Sequence, residues 1–198
     1  MKMSFYIFPL LFLGFSTGSI AQNANEGVYL SANDFTNNKI SFSHTVNDRK
    51  SAFHIHDFSF RSSIKIIRGN DEVRIRKDSI FGYRTKNNTS YRFYCKVAYK
   101  ILNPSEEILL YSTTSLEGGL RNNHRVTNYF FSADASSPIY PLSKLNLKIV
   151  LNKAVFFHAL LDVYFKSDDE LTAYDGFNKI YLLNRVYDES KQALSKIN

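Results

Sequence analysis

The chain has 198 residues, with 25 Lys and Arg against 18 Asp and Glu for a formal charge of +7, and 44% of its residues are hydrophobic. This composition excludes a disordered polymer, a collagen-like repeat and a disulfide scaffold, because Cys95 is the only cysteine and no intramolecular bridge can form. At this length one compact domain is expected, with a core large enough to do without cross-links.

Residues 1–21 have the layout of a secretory leader: Lys2, an apolar run from Phe5 to Phe15 broken only by Pro9 and Gly14, then small residues ending in Ser19, Ile20 and Ala21. The run is about half of the roughly 20 apolar residues that a spanning helix needs, and Pro9 interrupts it. Cleavage is expected before Gln22. The mature chain, 22–198, is then periplasmic or secreted and has no transmembrane span.

From residue 27 to about 140 the pattern is one of short aromatic and β-branched segments between polar turns, which predicts antiparallel strands over 27–30, 39–43, 52–60, 63–68, 72–76, 79–84, 91–101, 107–113 and 126–133. Turns are predicted at Gly69-Asn70-Asp71, over 86–90 and at Asn103-Pro104-Ser105. Cys95 shares its strand side with Phe93 and Val97, so it is expected to be buried and inert.

After Pro138 and Pro141 the period lengthens to about 3.6. Phe157, Leu160, Leu161, Tyr164 and Phe165 form one helical face, with Asn152 as its N-cap. Leu171, Tyr174, Phe177, Ile180 and Tyr181 form another, opened by a capping box from Ser167 to Glu170. The expected fold is therefore α+β, a single domain over 22–198 in which an antiparallel β-rich portion, 22–140, packs against a mainly helical pair, 141–198.

The charge is local. Residues 61–100 hold 11 basic and 3 acidic side chains, while the flanking blocks are each close to neutral. Alternation places Arg74 and Arg76 on one strand face, and Arg92 and Lys96 on one face of theirs. Arg74, Arg76, Arg84, Arg92 and Lys96 are the anion-binding candidates, for lipopolysaccharide, anionic lipid or acidic polysaccharide. A solvated sheet face guarded by Lys and Arg is the plainer reading of the same residues. No helix-turn-helix or aromatic RNA-binding pattern is present, so nucleic acid is not expected as a partner.

Candidate chemistry is sparse. His54 and His56 project to one side of a strand and can share a metal, but two ligands do not make a site, and the pair also reads as a water-facing alternation with Phe53 and Ile55. Asp168, Asp169 and Glu170 read as helix capping. The motifs G-x-S-x-G, H-E-x-x-H, the P-loop and G-x-G-x-x-G are absent, so no catalytic residue is assigned and no cofactor is expected.

Four fragments carry a likeness in order along the chain: Val28-Tyr29-Leu30-Ser31-Ala32-Asn33-Asp34-Phe35, Lys77-Asp78-Ser79-Ile80-Phe81-Gly82-Tyr83-Arg84, Tyr129-Phe130-Phe131-Ser132, and Ala173-Tyr174-Asp175-Gly176-Phe177-Asn178-Lys179-Ile180-Tyr181. Together they resemble a family of small exported Gram-negative bacterial proteins of unknown function. The resemblance implies export and a single domain, and carries over no site residue. The expectation is a non-enzymatic binding or interaction domain of the envelope with a basic sheet surface, meeting an anionic component or a protein partner. A hydrolase acting on an envelope polymer and a structural assembly protein are the competing readings.

Overall fold

The structure is a computed structural model that describes residues 26–42, 53–57, 61–68, 70–118 and 124–196. The leader-like residues and Gln22 lie outside the described residues. Strand β1 (Gly27–Tyr29) leads into the short helix α1 (Ala32–Thr36). Strands β2 (Phe53–His56), β3 (Ser63–Arg68) and β4 (Asp71–Arg76) form a three-stranded antiparallel sheet in chain order. A 3-10 turn, Lys77–Ser79, delivers the chain to β5 (Gly82–Arg84), β6 (Ser90–Tyr94), β7 (Val97–Ile101), β8 (Leu109–Glu117) and β9 (His124–Ser132). With β1 at one edge and β10 (Tyr140–Pro141) at the other, these strands make a seven-stranded antiparallel sheet in the order β1-β5-β6-β7-β8-β9-β10. Helices α2 (Lys144–Val150) and α3 (Val155–Tyr164) follow, then a 3-10 turn (Asp168–Thr172), a hairpin of β11 (Tyr174–Asp175) with β12 (Ile180–Tyr181), and α4 (Leu182–Ser195). The protein is α+β, β-rich towards its N-terminus and mostly helical towards its C-terminus.

Local chemistry explains where the elements part from expectation. The predicted strand 91–101 is instead a hairpin, in which Tyr94 pairs with Val97 across Cys95 and Lys96. Both turn residues have positive φ, 49° and 67°, the pattern of a type I′ turn whose twist matches that of the flanking strands. Cys95 is therefore exposed, a correction to the burial expected from strand alternation. Lys96 lies in the turn rather than on a strand face with Arg92. In β5, Gly82 faces β6 so closely that a Cβ built there would run into the Tyr91 carbonyl oxygen, so glycine is required for this pairing.

The second predicted helix is also corrected. The Asp175 carboxylate accepts from the main-chain N–H groups of Phe177 and Asn178, at 2.9 and 3.0 Å, and turns the chain back on itself as a hairpin. Ser167 makes no side-chain cap; Glu170 accepts from Lys166 N at 2.7 Å, and Asp168 accepts from Lys144 N at 2.8 Å in the first turn of α2. Asp168 thus serves a neighbouring helix. Asn152 gives way to Ser143, which caps α2 by accepting from Asn146 N, and α3 starts after Ala154 without a side-chain cap. The capping box falls earlier, at α1, where Ser31 and Asp34 each accept from the other's main-chain N–H at 3.1 Å.

The two faces of the large sheet are covered differently. In register, Val28, Tyr83, Tyr91, Lys100, Ser112 and Tyr129 form one cross-strand row over β1, β5, β6, β7, β8 and β9, so they share a face. At one end of this face the small sheet packs Ile64 and Ile66 onto Val28, Tyr83 and Phe93. At the other end Leu147, Phe157, Leu161, Leu183 and Val186 from α2, α3 and α4 pack on Leu110 and Phe131. The opposite face carries Tyr29, Phe81, Tyr111 and Leu109, closed by Phe35 of α1 and by Ala135 and Ile139 of the loop after β9.

A polar groove between the two covering layers

The small sheet and the helices leave a strip of the large sheet uncovered between them. Here a groove of about 520 Å³ is lined by Asp57, Tyr91, Val97, Lys100 and the β8 residues 112–115. Lys100 stands in the middle of its row, opposite Tyr91 on β6 and Ser112 on β8. It is exposed and makes no hydrogen bond or ion pair among the described residues. The Tyr91 ring stacks on Tyr83, with centroids 5.0 Å apart and planes 11° from parallel, and so presents a fixed aromatic wall. Thr114 lies one register step beyond Ser112 on the same face.

The far wall is held by charge. Lys77 is 1% exposed on its side chain, and its Nζ lies 2.6 Å from Asp57 Oδ1. Tyr83 donates its hydroxyl to Asp57 Oδ2 at 3.4 Å, and Lys77 Nζ also sits 5.3 Å from the centre of the Phe93 ring. Burial pushes the Tyr83 phenol well above its ordinary range, and the Asp57 charge adds to this. Among the described residues, the one acid lining the groove is thus engaged by a buried ammonium, which leaves Lys100 as the unengaged charge.

A second groove, about 610 Å³, lies along β9 and is lined by Thr127, Tyr129, Pro141, Leu142, Asp168 and Asp169. Its wall is acidic, so it disfavours an anion. No match is found for this chain among family models, curated proteins or solved structures. The site therefore stands on its residues alone.

The residues singled out in the sequence are scattered. Arg74 and Arg76 do share the outer face of the small sheet, as their register opposite Lys65 and Ser63 requires. Each meets an acid two residues away, Arg74 with Glu72 at 2.9 Å and Arg76 with Asp78. Lys65 also grips Glu72, at 2.6 Å, and the hydrogen bonds from Lys65 and Arg74 hold the Glu72 carboxyl below its ordinary range. Arg84 donates to Asn38 Oδ1 at 2.7 Å, and Lys96 occupies the β6–β7 turn.

Arg92 is a correction: it is 5% exposed and lies in the core of the opposite face, so it is no part of an exposed basic surface. Its Nη1 donates to Tyr111 Oη at 2.9 Å and Ser132 Oγ at 3.2 Å, and its Nη2 donates to the Ser137 carbonyl at 2.7 Å. Ser132 gives its one proton to the Asp134 carbonyl at 2.6 Å, so in the 2.8 Å Tyr111–Ser132 contact Tyr111 is the donor. The guanidinium also stacks within 6 Å of the Phe81, Tyr94 and Tyr111 rings.

His56 lies on the exposed outer face of the small sheet, opposite Lys65, whereas nothing is described of the His54 side chain. Among the described residues no group of three or more His, Cys, Asp or Glu is placed to hold a metal ion. Sequence reasoning missed Lys100 as a site residue because only the cross-strand pairing, with the layers on either side, distinguishes it from the other lysines of the basic block.

Proposed function

We propose that this chain is a non-enzymatic binding domain of the bacterial envelope that takes a short stretch of acidic polysaccharide in the Lys100 groove. The carrying observation is Lys100 itself, an unengaged ammonium centred between an aromatic ring and a hydroxyl row on an uncovered strip of its sheet face. An acidic sugar offers the matching groups: a carboxylate for Lys100, hydroxyls for Ser112 and Thr114, and an apolar ring face for Tyr91. The envelope setting rests on the leader-like residues 1–21.

Binding is favoured over hydrolysis because, among the described residues, Asp57 is the only carboxylate lining this groove, and glycoside cleavage commonly employs two carboxyl groups across the scissile bond. Lys77 moreover keeps Asp57 in an ion pair. The test is calorimetric titration of the mature chain with a hexuronic acid oligosaccharide, for wild type and for Lys100→Glu. Loss of a charge-assisted contact is expected to weaken binding about tenfold. Equal affinity for the variant, or shortening of the oligosaccharide during the titration, contradicts the proposal.

A further inference from the structure

We infer that the turn joining α2 and α3 docks the protein on an anionic lipid surface. Leu145, Ile149, Val155, Phe156 and Val163 are between 41% and 75% exposed, an unusual concentration of large apolar side chains facing water within 19 residues. Their spacing is helical. Leu145 and Ile149 are four apart on α2, and Val155, Ala159 and Val163 are successive fours on α3, so each helix turns one small or apolar stripe outward while Leu147, Phe157 and Leu161 face the core.

The helices are clasped between those stripes. The Asp162 carboxylate meets Lys148 Nζ at 2.6 Å and Lys144 Nζ at 3.1 Å, and His158 Nε2 lies 2.9 Å from the Leu151 carbonyl. The stripes therefore flank one charged seam.

The charge pattern selects the occupant. Residues 135–161 contain no Asp or Glu, but hold Lys144, Lys148, Lys153 and His158. The nearest acid, Asp162, is shared by Lys144 and Lys148 within the seam, which leaves Lys153, in the turn between Ile149 and Val155, as the lysine without an acidic partner among the described residues. Residues 144–164 hold three Lys against one Asp, so a second copy of this chain would bring two net-positive surfaces together, whereas anionic headgroups complement that excess and admit the apolar side chains beneath. Among the described residues no helix is long and apolar enough to cross a membrane, so the attachment proposed is an interfacial one.

The test uses the mature chain with vesicles of phosphatidylglycerol mixed with phosphatidylcholine, against vesicles of phosphatidylcholine alone. Because the sequence has no Trp, Phe156→Trp creates a single reporter, whose emission should shift to the blue on the anionic vesicles and be quenched by lipids brominated in their acyl chains. Ile149→Ser with Val155→Ser should lower vesicle retention at least about tenfold, since two largely exposed side chains lose their burial in lipid. Lys153→Glu should weaken retention, and Lys100→Glu should leave it unchanged, which separates this inference from the proposed groove. The inference is overturned by failure of the wild type to bind phosphatidylglycerol vesicles, or by an unquenched reporter on bound protein. It is also overturned if a folded Ser double variant is retained like wild type, or if that variant dissolves a dimer seen by light scattering. If the double variant unfolds by circular dichroism, the quenching result decides alone.

Discussion

The guanidinium of Arg92 on β6 donates to the main-chain oxygen of Ser137 at 2.7 Å, tying the centre of the large sheet to the loop that follows β9. Asp134 braces the same loop by accepting from Ser136 N, Ser137 N and Ser137 Oγ at 2.6 to 2.7 Å. Burial opposes ionisation of Asp134, but these hydrogen bonds outweigh it and hold its carboxyl below the ordinary range. Arg92→Leu removes the buried donor and orphans the Ser137 carbonyl. A loss of about 3 kcal/mol is expected in urea unfolding, and Arg92→Lys should recover little because it lacks the planar fork.

The Lys77–Asp57 pair joins the turn after β4 to the end of β2, and it meets the large sheet through Phe93 beside Lys77 and the Tyr83 hydroxyl on Asp57. Removing one partner, as in Lys77→Met, leaves the Asp57 carboxylate in a largely dry site and is expected to cost about 3 kcal/mol. The double change Lys77→Met with Asp57→Leu should recover most of that, since an apolar pair of similar volume avoids burying charge. Denaturant midpoints for the two variants, with hydrogen exchange reporting on β2 to β4, check this outcome.

Alkaline pH should destabilise the fold through buried phenols. Burial raises both Tyr83 and Tyr111, and Arg92 only partly offsets this at Tyr111. Below the unfolded value of about 10 both states hold neutral phenol and stability is intact; above it the unfolded chain sheds protons first, so stability falls as pH rises towards the folded values. Urea midpoints should hold steady to about pH 9 and then decline by pH 11, with phenolate absorbance appearing alongside unfolding. Phenylalanine at both positions should flatten that decline.

The exposed Cys95 thiol should react in the native protein at nearly its denatured rate with an uncharged thiol reagent. Since Cys95 and Lys96 both occupy the left-handed region, Cys95→Asn with Lys96→Gly should stabilise the hairpin by about 1 kcal/mol. Thermal unfolding of the double variant measures the gain.

Much of this architecture was legible in the residues. The alternation of aromatic and β-branched positions located most strands, and the stop at Asn103-Pro104-Ser105 fell where β7 ends. What escaped was decided by groups distant in sequence or by backbone conformations that composition does not signal. Cys95-Lys96 is a poor match to the Asn-Gly expected of a type I′ turn, so the hairpin looked like one long strand. Asp175 turned an apparent helical face into a hairpin through hydrogen bonds to Phe177 and Asn178, and Asp168 capped a helix 24 residues earlier than itself. Arg92 looked like a surface cation because its shelter comes from Phe81, Tyr111 and the 133–139 loop. The Lys100 groove exists only once two layers settle on either side of one row.

Lys100 and its row are proposed to receive an acidic sugar. An amide and side-chain NMR titration of isotope-labelled mature protein with a hexuronic acid oligosaccharide tests this most directly. Shifts are expected to cluster on Tyr91, Lys100, Ser112 and Thr114, to leave the acidic groove at Thr127 and Asp169 unmoved, and to fade in Lys100→Glu. Shifts centred on Arg74 and Arg76 of the small sheet, or none at millimolar oligosaccharide, would contradict it.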